Sequence, residues 1–240
     1  MPYPTFYATR GITVDARPEA IWPWLAQMGY RRAGFYGYDL IENPGSANGI
    51  RSAASILPQL QHPKTGDVLP ISAVAHMVFG EIQPGEFLIW RGDANPPDGV
   101  FTWALYPIDE NRTRLVSRIR LAYHWTDRRL ILDLFTEFAD PVAVPKILQG
   151  VRDRVEGRTP QPLAAQAVEM AVWFLAMAEC AVALWFVLCW RRWGRAWLLT
   201  LGSGLVLLFA LYAHAPAWTG AALTLLWGAG LAFMHKAHAQ

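Results

Sequence analysis

His76 and His124 are the side chains in the first two thirds of the chain best suited to moving a proton near neutral pH. Each stands near the end of an expected strand. There it could act as a general acid or base, or lie at the surface as an ordinary imidazole. His62, in a proline-rich loop, is a weaker candidate. No His-x-His or His-Glu-x-x-His spacing is present, so no metal and no other cofactor is expected. A Gly-x-Ser-x-Gly elbow and a phosphate-cradling glycine loop are also missing. Cys180 and Cys189, the only cysteines, both lie inside an apolar run and read as inert thiols. Asn48 with Arg51 could contact a polar ligand group or could shape a turn.

Glu179 is a different kind of candidate. It stands near the middle of the apolar stretch Met170–Trp190, where an acid costs about 2.5–3.5 kcal/mol on insertion scales. Such a residue faces other helices, with Thr200, Ser203, Tyr212, Thr219 or Thr224 available to receive it. It is either a functional intramembrane carboxyl or a protonated one that makes a single structural hydrogen bond.

The stretch around Glu179 divides the chain. From Leu163 to Met234 the only charged residues are Glu169, Glu179, Arg191, Arg192 and Arg195. Three hydrophobic helices are predicted at about 168–190, 196–213 and 217–234, each near the roughly 20 residues that cross a bilayer. Gly202, Gly204, Gly220, Gly228 and Gly230 would let these helices approach closely. Trp185, Trp190, Trp193 and Trp197 cluster at the Arg-rich turn, as an interfacial belt would. Residues 163–240 therefore read as an integral membrane region, joined by a Thr-Pro-Gln-Pro linker (159–162) to a soluble domain over residues 1–158.

The N-terminus lacks a basic segment followed by an apolar core, so no signal peptide is expected and the soluble domain is placed in the cytoplasm. Arg191, Arg192 and Arg195 favour the same side, and a single span between them and the domain cannot satisfy both. The orientation stays open, as does whether two or three segments span. Four of the 21 basic and two of the 19 acidic residues fall after Pro160, which leaves the soluble part neutral. Such a part lacks the positive footprint of a nucleic-acid partner.

Within the soluble part, Thr9–Asp15 alternates and is β-branched, as a strand should be. Arg17-Pro18-Glu19 opens a helix that carries Ile21, Trp22, Leu25 and Met28 at helical spacing and stops at Gly29. Short helical pieces are predicted around Tyr38–Glu42 and Ser52–Leu57. Met77–Gln83 and Glu86–Trp90 form a hairpin across Pro84-Gly85, and Val100–Tyr106 with Arg114–Tyr123 forms a second across Asp109-Glu110-Asn111. Leu115, Ser117, Ile119 and Leu121 share one face, with Arg114, Arg118 and Arg120 on the other. A helix from Thr126 to about Arg158, with Leu130, Leu134, Phe138, Ile147, Leu148 and Val151 as its apolar stripe, covers the apolar face. Pro141 and Pro145 must bend or break it. The class is α+β: an antiparallel sheet closed by a long C-terminal helix, then an all-α membrane bundle.

Trp22-Pro23-Trp24-Leu25-Ala26-Gln27-Met28-Gly29, followed by Ala33-Gly34-Phe35-Tyr36-Gly37-Tyr38-Asp39 and Glu42-Asn43, resembles the START-like, polyketide cyclase/dehydrase-type (SRPBCC) superfamily of helix-grip proteins. The likeness continues through Gly66-Asp67, Thr113-Arg114-Leu115 and Gly150–Glu156, and covers roughly Ala8 to Arg158. It implies a curved sheet wrapped around the C-terminal helix, enclosing a cavity for a hydrophobic ligand. Trp24, Phe35, Tyr36, Tyr38, Trp90, Phe101, Trp103 and Tyr123 are then the candidates to line it, or they simply fill the core.

Some members of the superfamily bind and move lipids, and others cyclise polyketides. The expected role is membrane-anchored binding, transfer or sensing of a hydrophobic small molecule or lipid. One alternative is a cyclase/dehydratase-type lyase that uses His76, His124 or a tyrosine. The other is a regulatory soluble domain on a working membrane bundle centred on Glu179.

Overall fold

The computed structural model describes residues 4–44, 49–95, 97–122, 130–189, 193–212 and 217–239. The chain divides into two compact units, Met1–Pro160 and Gln161–Gln240.

In the first unit the strands are β1 (Phe6–Val14), β2 (Val68–Pro70), β3 (His76–Gln83), β4 (Phe87–Arg91), β5 (Gly99–Asp109) and β6 (Arg112–Leu121). Helices α1 (Pro18–Ala26) and α2 (Asp39–Glu42) follow β1, and α3 (Leu130–Val155) follows the sheet. The six strands are antiparallel in the order β1-β6-β5-β4-β3-β2. The first strand thus pairs with the last, from Phe6 opposite Leu121 to Val14 opposite Thr113.

Alternation sets which face is buried. Along β6, Thr113, Leu115, Ser117 and Ile119 are buried while Arg114, Arg118 and Arg120 are exposed. Trp103 and Leu105 of β5, Leu88 and Trp90 of β4 and Phe79 of β3 join the same core. Ile21 and Leu25 of α1, Met28 just after it, and Val144, Leu148 and Val151 of α3 pack against them. Each such large apolar side chain contributes about 1.5–3 kcal/mol on full burial.

One expectation is corrected. Ser52–Leu57 is not helical; the only regular turn nearby is a 3-10 turn at Pro58–Leu60. Ser52 is instead held by Asp39 Oδ1, which accepts from both its main-chain N–H and its hydroxyl. Of the two outcomes expected at the prolines, a break does not occur, since α3 runs continuously through Pro141 and Pro145. Each proline removes a main-chain hydrogen bond, and the burial of Val142, Val144, Leu148 and Val151 holds the helix together across them. The side chains of Leu130, Leu134 and Phe138 lie outside the described set. Strand β2, too short to announce itself, pairs with β3 from Val68 opposite Val78 to Pro70 opposite His76.

The second unit contains α4 (Leu163–Cys189), α5 (Trp193–Tyr212) and α6 (Ala217–Ala239). Of the three predicted hydrophobic helices, α4 is long and apolar enough to cross a membrane, with a mean hydropathy of 2.1. The apolar stretches Ala196–Tyr212 and Trp218–Phe233 are shorter. Arg191 and Arg192 lie outside the described residues.

Candidate functional site: a cavity between sheet and closing helix

The buried face of the sheet is aromatic, and α3 lies against it with the small residues Ala139 and Ala143 at the space between. The two enclose a cavity of about 460 Å³. Its sheet wall is Trp90, Phe101, Trp103 and Ile119, with Phe35 joining from the loop after α1. Its helix wall is Ala139, Asp140, Ala143, Val144 and Ile147, a stripe at helical spacing. Ile41, Glu42, Ile71, Ser72, Ala75 and His76 border it elsewhere. This is the helix-grip arrangement.

The rings of the helix-grip unit form one group. The Trp90 centroid lies 5.2 Å from Trp103, 6.2 Å from Phe35 and 6.4 Å from Phe101. Among the described residues, the indole N–H groups of buried Trp90 and Trp103 have no acceptor.

Two carboxyl groups interrupt the apolar lining, and neither was singled out from the sequence as a site residue. Glu42, half-buried at the end of α2, accepts the Gly37 N–H through Oε2 at 3.1 Å. Its buried Oε1 has no partner among the described residues. Burial pushes its pKa up to about 7; nearby Asp39 pushes the same way, while the Tyr38 and Gly37 N–H groups and Arg154 oppose. Asp140, buried on α3, accepts from Arg10 of β1 through Oδ2, with Nε at 2.9 Å and Nη2 also in contact. Its Oδ1 is likewise without a partner among the described residues. Burial pushes this carboxyl up too, and Arg10 offsets part of the effect. The signals were present but faint: a glycine five positions before Glu42, and a lone acid in the run Ala139-Asp140-Pro141-Val142.

Of the aromatic residues singled out from the sequence, Phe35, Trp90, Phe101 and Trp103 meet at the cavity. Trp24, Tyr36 and Tyr38 are buried but are not among its lining residues. Their polar tips and main chains explain the difference. The Tyr36 hydroxyl donates to the Trp24 carbonyl and accepts from Gln27 Nε2, each at 3.0 Å, and Arg154 lies over its ring at 4.5 Å. Burial pushes the Tyr36 phenol above its ordinary range, so it serves as a neutral bracket. Lys146 stands over the Tyr38 ring. The loop is further clamped where Gly150 of α3 lies against the Tyr36 carbonyl, leaving no room for a Cβ. Tyr36 itself holds a left-handed φ of 69°.

His76 borders the cavity at an exposed edge, its Nε2 3.1 Å from Asp93 Oδ2. Tyr123, His124 and Asn48 lie outside the described residues. No cluster of three or more potential metal ligands occurs among the described residues.

In the second unit Glu179 is buried in α4 beside Gly228 of α6, where a Cβ would collide with Oε1. Its Oε2 has no partner among the described residues. Of the hydroxyls expected to receive it, two donate elsewhere and a third accepts from another side chain. Thr200 donates to the Ala196 carbonyl, Thr224 donates to the Gly220 carbonyl, and Ser203 accepts from Trp227 Nε1 at 2.8 Å.

No family model and no curated protein matches the chain. Solved structures do. A polyketide-cyclase-like protein from Corynebacterium glutamicum is 12% identical, with 65% of this chain covering 94% of that one at a TM-score of 0.37. A conserved protein of unknown function from Enterococcus faecalis is 18% identical, with 65% of this chain covering 73% of that one at 0.37. The Aha1 dimer from Colwellia psychrerythraea is 14% identical, with 63% covering 97% at 0.33.

Proposed function

We propose that the helix-grip unit binds an apolar small molecule or lipid in its cavity, on a chain held at a membrane by its C-terminal helices. The observation that carries this reading is the cavity of about 460 Å³, walled by the rings of Phe6, Phe35, Trp90, Phe101 and Trp103 and by the small side chains of α3. Ligand surface moved from water into such walls gains about 25 cal/mol per Å², and a few polar groups suffice to orient it. Binding is favoured over catalysis by the position of His76, which sits at the exposed edge paired with Asp93. The apolar length of α4 supports anchoring, which would keep the cavity close to a lipid source.

Native mass spectrometry of the full chain released from maltoside micelles tests the reading. The expected result is a bound apolar mass that disappears in Ala143→Trp, a substitution that fills the cavity from the α3 side. Absence of any bound mass, together with failure of the wild-type protein to take up an added lipid of any class, would sink it.

A further inference from the structure

We propose that the cavity selects an apolar ligand that carries a protonated amine. This rests on the ligand-binding reading above and specifies the charge of the head group.

Three observations converge on a cation. First, Trp90, Trp103, Phe35 and Phe101 surround one space with their rings 5.2–6.4 Å from Trp90. Ring faces attract an ammonium through their quadrupoles, Trp most strongly, and more so when water is excluded. Second, two lining residues, Glu42 and Asp140, each carry a buried carboxyl oxygen, Oε1 and Oδ1, that lacks a donor among the described residues. Buried acceptors of this kind ordinarily have partners, and an ammonium has N–H donors to offer. Third, the nearby cations are committed elsewhere. Arg10 engages the other oxygen of Asp140. Arg154 donates to the carbonyls of Ala53 and Gly150 while it covers Tyr36. Lys146 stands over Tyr38.

The unpartnered indole N–H groups of Trp90 and Trp103 would take a carbonyl or hydroxyl oxygen of any ligand. They therefore do not choose its charge. The carboxyl groups do above about pH 7, once Glu42 has lost its proton, because a carboxylate ligand would then add a like charge to a wall with little water to screen it, and the comparison therefore belongs at pH 8. An alcohol can fill one hydrogen bond but brings no charge to offset that of Glu42.

Calorimetric titration of the full chain in uncharged maltoside micelles, with protein-free micelles as the blank, separates these cases using hexylamine, hexanol and hexanoate. These probes share an apolar chain and differ in head-group charge. The amine is expected to bind about tenfold more tightly than the alcohol, with the carboxylate weakest. Glu42→Gln is expected to weaken hexylamine about fivefold while hexanol stays within about twofold. Asp140→Asn should shift the amine in the same direction. Hexanol or hexanoate binding as tightly as hexylamine, or an amine preference untouched by both substitutions, would overturn the charge selection and leave the apolar cavity standing. If none of the three probes binds, the ligand-binding reading falls with it.

Discussion

Gly37 and Glu42 share one corner of the cavity wall: the Gly37 N–H donates to Glu42 Oε2 at 3.1 Å, and a Cβ at position 37 would collide with Oε1. The carboxyl group sits where it does because residue 37 has no side chain. Gly37→Ala should therefore displace the carboxyl and destabilise the domain by about 1–3 kcal/mol, a typical cost of overpacking. Denaturant unfolding checks the loss. The effect should largely vanish in a Glu42→Ala background, where nothing remains to be displaced.

Glu42 also ties stability to pH. In the folded chain its carboxyl holds a proton up to about pH 7, against an ordinary 4.5. Between those values the folded state binds more protons than the unfolded one, so this group's contribution to stability falls as pH rises from about 4.5 to about 7 and is constant above that. The charged groups acting on it are Asp39 and Arg154, and Asp140, Arg10 and His76 stand around the same cavity. Unfolding midpoints compared at pH 5 and pH 8 should show a wild-type decrease that Glu42→Gln reduces.

Arg10 and Asp140 bind β1 to α3 through a carboxylate that is buried while its partner is part exposed. Arg10→Ala leaves that carboxylate unpaired and should cost about 2–4 kcal/mol. Asp140→Asn added to it should recover part of the loss. Equal stability of Arg10→Ala and wild type in urea would show that the pair contributes nothing.

In the second unit, Gly228 gives room to Glu179 whereas Gly230 has open space around its Cα. Gly228→Leu should lower the thermal midpoint of the detergent-solubilised protein, by about 1–3 kcal/mol of helix-packing energy. Gly230→Ala should leave it unchanged. Size-exclusion chromatography after heating distinguishes the two.

The sheet could be read ahead of the structure because its alternation is strict, as in Leu115, Ser117 and Ile119 against Arg114, Arg118 and Arg120. Both hairpins fell where Pro84-Gly85 and Asp109-Glu110-Asn111 placed their turns. The loop between α1 and β2 could not be read this way. Its order comes from side chains far apart in sequence, such as Asp39 with Ser52 and Gln27 with Tyr36, and local propensity carries no record of them. The same limit hid the wall residues. Type alone does not separate Trp24, bound into the α1 packing through its carbonyl, from Trp90. Glu42 and Asp140 act through where they are buried, which emerges only once β1, α2 and α3 are assembled around them.

Thr5 passes its main-chain and hydroxyl hydrogen bonds to the carbonyl of Leu121, 116 positions downstream. During synthesis, β1 must therefore wait for the final strand of the sheet before it finds a neighbour. The β3–β4 and β5–β6 hairpins can close locally and early, whereas joining β1 to β6 requires closure of a very long loop. The Arg10–Asp140 pair forms later still, once α3 has emerged. Only a few residues separate Val155 from the start of α4 at Leu163. The first unit thus completes itself just as the most hydrophobic part of the nascent chain appears, and any delay in β1 capture would leave a strand edge unpaired at that moment.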